Sequence, residues 1–144
     1  MSPDLSDRSD LSTSWAPQTP GKRIAWGLLA LFMIAMGVGH FVLTRWFVMV
    51  MPPYLPWHHE LVLVSGVFEI AGGVGLLIPR LRRAAGWGLV ALLVAVFPAN
   101  IHMAMDPVQF GAEPIAPWIW WARLPLQVPL IATAWWMTRA DRRR

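Results

Sequence analysis

Cysteine is absent from all 144 residues. That excludes disulfides, thiolate zinc sites, iron–sulfur ligation and thiol relays built from this chain's own side chains. Charge is the next scarcity: Asp, Glu, Lys and Arg make up 14% of the chain, against about 25% in an average soluble domain. No phosphate-binding loop, nucleophile–base set or dinucleotide glycine fingerprint occurs. The glycines of "AGGVG" sit inside an apolar run and follow no strand, so they serve helix packing. The sequence therefore offers no catalytic constellation of its own. Any redox role has to come from a bound cofactor or a partner.

Apolar residues make up 56% of the chain, with ten Trp and thirteen Pro. A chain this short cannot bury so much apolar surface against itself, so lipid must cover part of it. The net charge is +4 and the sequence pI about 11.1. This basicity does not imply nucleic acid, because the cations sit beside apolar runs, as membrane anchors do.

Residues 1–21 are rich in Ser, Asp, Pro and Thr and read as a disordered tail, unlike a secretory signal peptide. Four apolar runs follow, at about 24–43, 60–78, 84–105 and 118–138. Each is near the roughly 20 residues that a helix needs to cross a bilayer core. A lone strand cannot satisfy its backbone in lipid, so the runs are helices. The expected fold is all-α: a polytopic membrane protein with a four-transmembrane-helix bundle over 22–138. Residues 139–144 form a basic tail. Lys22 and Arg23, then Arg80, Arg82 and Arg83, then Arg139, Arg142, Arg143 and Arg144 fall on one side if there are four spans. That side is expected to be cytoplasmic, with both termini inside. Arg45 is the exception and can snorkel to headgroups. The outer loop at 49–60 is stiffened by Pro52, Pro53 and Pro56. The one at 106–117 is expected to hold an interfacial or re-entrant turn.

Glu69 stands near the middle of the second span, where a carboxylate costs roughly 2.5–3.5 kcal/mol on insertion scales. Gly66, Glu69 and Gly73 share one helix face, so Glu69 is expected to point into the bundle. Arg123 in the fourth span is its expected counter-ion, with Gln127 one turn away on the same face. Counted from the outer end, Arg123 lies about 8 Å deep and Glu69 about 13 Å. A structural ion pair and a proton-handling or ligand-binding carboxylate are both open for Glu69.

The first span adds His40, on a face with Gly37 and Met33. The third adds Asn100 and His102, about 200° apart on an ideal helix, so that without distortion only one can face the centre. Pro98 beside them is expected to kink the helix. All these groups lie in the outer half of the membrane, which suggests a polar pocket opening outward. His58, His59 and His102, with nearby Met, are weak candidates for copper. Haem on His40 and His102 is a further alternative. His58 and His59 read more simply as a solvated loop at the interface.

The stretches "GVGHFV", "PPYLPWHHELVLVSGVFEIAGGVGLLIPRLRRAAGWGL", "FPANIHMAM" and "RLPLQ" resemble the DoxX family of small four-helix membrane proteins, over about residues 24–137. The matching positions include His40, Glu69, Asn100, His102, Arg123 and Gln127. The resemblance implies a bundle in a bacterial inner membrane and an accessory role in quinone-linked redox chemistry, oxidative-stress defence or maturation of periplasmic enzymes. Quinone is then the implied cofactor, and a membrane or periplasmic redox protein the implied partner. One alternative is a structural or chaperone-like protein whose Glu–Arg pair only fixes packing. Another is a small transporter working as an oligomer, although spans one and two do not visibly repeat in three and four.

Overall fold

The computed structural model describes residues 20–106 and 116–139. Residues 1–19 of the expected tail, 107–115 of the expected outer turn and 140–144 of the basic tail lie outside the described residues; Pro20 and Gly21, read as tail, instead open the first helix. The described chain is helical, with no strand among its residues: α1 (Pro20–Val42), α2 (Thr44–Met49), α3 (His58–Leu77), α4 (Arg82–Met105) and α5 (Pro117–Thr138). The four apolar runs expected to be helical correspond to α1, α3, α4 and α5. Their boundaries agree with the sequence reading to within four residues.

The termini follow local chemistry. Pro20 and Pro117 open α1 and α5, where the missing N–H costs nothing. Pro79 follows the end of α3 and cannot continue it. The Arg82 Nε–H donates to the Leu76 carbonyl at 2.9 Å, satisfying a terminal acceptor of α3.

Neighbouring helices form a ring. α1 packs most extensively on α3, α4 on α5, and α3 on α4, while α1 and α5 touch lightly. α3 and α5 have no close backbone approach and so face each other diagonally. At one end, Lys22 donates to the Arg139 carbonyl at 3.1 Å and Arg82 lies 4.2 Å over the Trp26 ring. The start of α1, the α3–α4 turn and the end of α5 therefore share that end. The apolar core fills this half of the bundle, through Trp26, Leu29, Met33, Leu76, Leu89, Leu93 and Met137.

Three helices among the described residues are long and apolar enough to cross a membrane: α1, α3 and α4. Their outer faces carry exposed Leu28, Leu31, Val67, Phe68 and Val94, as lipid contact requires. α5 is comparably long at 22 residues and carries Arg123, Pro125, Gln127 and Pro129 in its interior.

α2 was not expected. The first apolar helix breaks at Leu43, and the Thr44 hydroxyl lies 2.7 Å from the freed His40 carbonyl, to which it donates. After the break, Phe47 stacks on His40 with ring centroids 4.0 Å apart. On a straight helix residues seven apart stand about 10.5 Å apart along the axis, so the chain must fold back at Leu43. Trp57, before α3, takes a left-handed backbone (φ 52°), an uncommon conformation for a bulky residue.

Candidate functional site: a buried imidazole and carboxylate between α1 and α3

Glycine brings α1 and α3 together. A Cβ at Gly37 would lie 2.7 Å from the Gly66 carbonyl oxygen, and one at Gly73 would lie 2.8 Å from the Ala30 carbonyl oxygen. Only a residue without a side chain tolerates this approach. Gly66, Glu69 and Gly73 are all buried on the face that the sequence assigned to the bundle interior. Met33, Gly37 and His40 are the buried face opposite.

Glu69 meets His40 inside this contact. Its Oε2 lies 3.1 Å from His40 Nδ1, and both residues are only 8% exposed. The same Nδ1 lies 3.0 Å from the Met36 carbonyl oxygen. Two acceptors face one nitrogen, so Nδ1 carries a hydrogen. That hydrogen points at Met36, one turn back along α1. Glu69 Oε2 is within ion-pair distance but off the N–H line, and it has no hydrogen-bond partner. The two contacts are therefore unequal: a directed bond to Met36 and an electrostatic one to Glu69.

The expected Glu69–Arg123 ion pair is not formed. Arg123 Nη1 lies 3.5 Å from the Met103 sulfur, and its guanidinium is 5.3 Å from the centre of the Trp120 ring. Arg123 is exposed. The cause is the ring order, since α5 stands diagonally opposite α3. Similar depth along the membrane normal does not make two residues neighbours.

Asn100 and Gln127 form a second polar seam, between α4 and α5. Asn100 Nδ2 donates to Gln127 Oε1 at 2.7 Å, and Gln127 Nε2 donates to the Leu93 carbonyl at 2.5 Å. Pro98 supplies no N–H to Val94 and loosens that turn of α4, where Leu93 also lies. Gln127 thus ties a backbone carbonyl of α4 to α5. His102 points elsewhere and meets Tyr54 edge-on, with centroids 6.1 Å apart. Asn100 thus takes the helix seam and His102 the proline-rich loop. Replacing Gln127 by Leu should leave both partners short of a bond and cost about 1 kcal/mol, read as a lower melting temperature in detergent.

The weak metal candidates do not gather. His58 Nε2 lies 2.9 Å from the Pro52 carbonyl, pinning the loop, and His59 is exposed. Among the described residues no three His, Asp or Glu side chains are placed to hold a metal ion.

A sequence family described as a domain of unknown function (DUF8561) matches residues 29–138. The chain belongs to this family. The matched region runs from within α1 to the last residue of α5, so the DUF8561 unit takes in both polar seams. No curated protein and no solved structure matches the chain.

Proposed function

We propose that this DUF8561 protein is an accessory subunit of a quinone-linked redox or oxidative-stress system, crossing a bacterial inner membrane four times with both termini cytoplasmic. One observation carries the reading: Glu69 Oε2 is buried beside an imidazole and has no hydrogen-bond donor. Buried polar atoms left unsatisfied are rare and cluster where a proton or ligand is handled. The resemblance of "GVFEIAGG" and "PANIHMA" to the DoxX family points the same way.

A quinol headgroup fits this acceptor, since its hydroxyls are the donors Oε2 lacks, and it would supply electrons together with protons. Glu69 would accept the hydroxyl hydrogen bond and take up the proton, and the His40 imidazole beside it would hold the carboxyl in place. Phe47 lies over the imidazole, so admission requires α2 to swing at the Leu43 break. Glu69→Gln keeps the size of the side chain and removes its proton exchange. The expected result is an unchanged melting temperature with quinone-linked oxygen uptake by membrane vesicles lost. Unchanged uptake would sink the proposal.

A structural role is the second reading, and the glycine contact around the pair favours it. There His40 and Glu69 fix the register of α1 on α3, and Glu69→Gln lowers stability while leaving electron flow per folded molecule intact.

The fourth crossing and the orientation have a direct test, because the native chain contains no thiol. Cysteines introduced one at a time for Arg80 and Arg139 should react with an impermeant maleimide only from the cytoplasmic side. One at Tyr54 should react only from the outside. Labelling of Arg80→Cys and Arg139→Cys from opposite sides would remove α5 from the list of spans.

A further inference from the structure

A groove of about 240 Å³ runs along the outer surface of the bundle between α3 and α4. Phe68, Ala71 and Gly75 line one wall, and Ala84, Ala85 and Gly88 the other. Phe68, Ala71, Ala84 and Gly88 are exposed, so the groove opens sideways, away from the core. Its lining from Leu81 to Gly88 spans about 10 Å of helix rise. Leu81 lines it at the α3–α4 turn, beside the basic run Arg80, Arg82 and Arg83.

The charges on that turn are divided. Arg82 is committed inward, to the Leu76 carbonyl and the Trp26 ring. Arg80 is exposed on the turn. The carboxylates among the described residues are Glu60, Glu69 and Asp106, and none lies at this end of the bundle. The Trp26 indole N–H at this end is buried with no hydrogen-bond partner among the described residues. An apolar channel beside a cationic turn that lacks carboxylates complements one kind of molecule, an acyl chain joined to a phosphate.

We infer that the α3–α4 groove holds one acyl chain of an anionic phospholipid, with its phosphate at Arg80. This is a lipid site at the basic end of the bundle, separate from the His40–Glu69 pair and independent of the redox reading. Basic clusters at the cytoplasmic ends of helices attract anionic headgroups. The groove adds a fixed seat for the tail.

The test is native mass spectrometry of the full chain, delipidated and then titrated with dioleoylphosphatidylglycerol or dioleoylphosphatidylcholine. Gly88→Leu fills the groove without an internal clash, because a Cβ at Gly88 meets no atom within 4 Å. Wild type should retain one phosphatidylglycerol at energies that strip phosphatidylcholine. Gly88→Leu should lower that retention at least fivefold, and Arg80→Glu should abolish the preference between the two lipids. Equal retention of both lipids by wild type would overturn the inference. So would undiminished phosphatidylglycerol binding in Gly88→Leu, which would mark a diffuse charge effect. A dimer that Gly88→Leu converts to monomer, with lipid retention unchanged, would assign the groove to a second copy instead. Should either variant lose its helical circular dichroism, the remaining one still decides the outcome.

Discussion

Gly66→Val should be the most damaging single substitution in the bundle. A Cβ at position 66 would lie 2.7 Å from the His40 Cβ and 3.0 Å from the Gly37 carbonyl oxygen. Neither neighbour is the free end of a flexible side chain, so α1 and α3 have to part. Overpacking of this kind costs about 1–3 kcal/mol, and the β-branched side chain adds its own restriction in a helix. The separation also pulls His40 from Glu69, which adds the cost of a buried acid without its neighbour. The expected readout is a large fall in melting temperature in detergent, with poor recovery from membranes. Gly27→Ala is the control: a Cβ there meets nothing within 4 Å. It should leave stability unchanged or raise it by up to about 1 kcal/mol through helix propensity.

His40→Leu should be the second most costly change, and more costly than Glu69→Leu. Removing the imidazole leaves Glu69 buried with no polar neighbour among the described residues. Breaking a buried pair from one side costs about 3–5 kcal/mol when the charge left behind is uncompensated. Removing Glu69 instead leaves His40 with its directed hydrogen bond to Met36. The remaining imidazole is still satisfied, so Glu69→Leu should cost roughly 1 kcal/mol. This asymmetry follows from one nitrogen facing two acceptors and pointing its hydrogen at only one. Thermal denaturation of the two single variants measures it. Equal losses would mean that the hydrogen belongs to the carboxylate contact.

Much of the fold is legible in the sequence because lipid allows few solutions. Runs of about twenty apolar residues must be helices, and small residues at i, i+3 and i+7 around an acid must face inward. Glu69 with Gly66 and Gly73 meets both conditions, as does His40 with Gly37 and Met33. The opposed directions of Asn100 and His102 also follow from helical geometry alone.

The partner of Glu69 is not legible in this way. Arg123 satisfies the expectation of depth and charge, but a sequence read along one axis carries no order of helices around the bundle. The available clue was the matching of two small-residue faces, Gly37 with His40 and Gly66 with Glu69. α2 escaped notice for a different reason. The apolar run continues past Leu43, and the break depends on the Thr44 hydroxyl and on Phe47 folding back over an imidazole. That is tertiary packing, which hydropathy does not record. Gln127 shares a face with Arg123, yet its role comes from Asn100 and from the Leu93 carbonyl.

The central claim is that the intramembrane acid belongs to His40 and not to Arg123. Two double-mutant cycles on thermal stability in one detergent decide it, pairing Glu69→Leu first with His40→Leu and then with Arg123→Leu. The His40 cycle should show a coupling of about 1 kcal/mol or more, and the Arg123 cycle should be additive to within about 0.5 kcal/mol. A coupled Arg123 cycle with an additive His40 cycle would contradict the account.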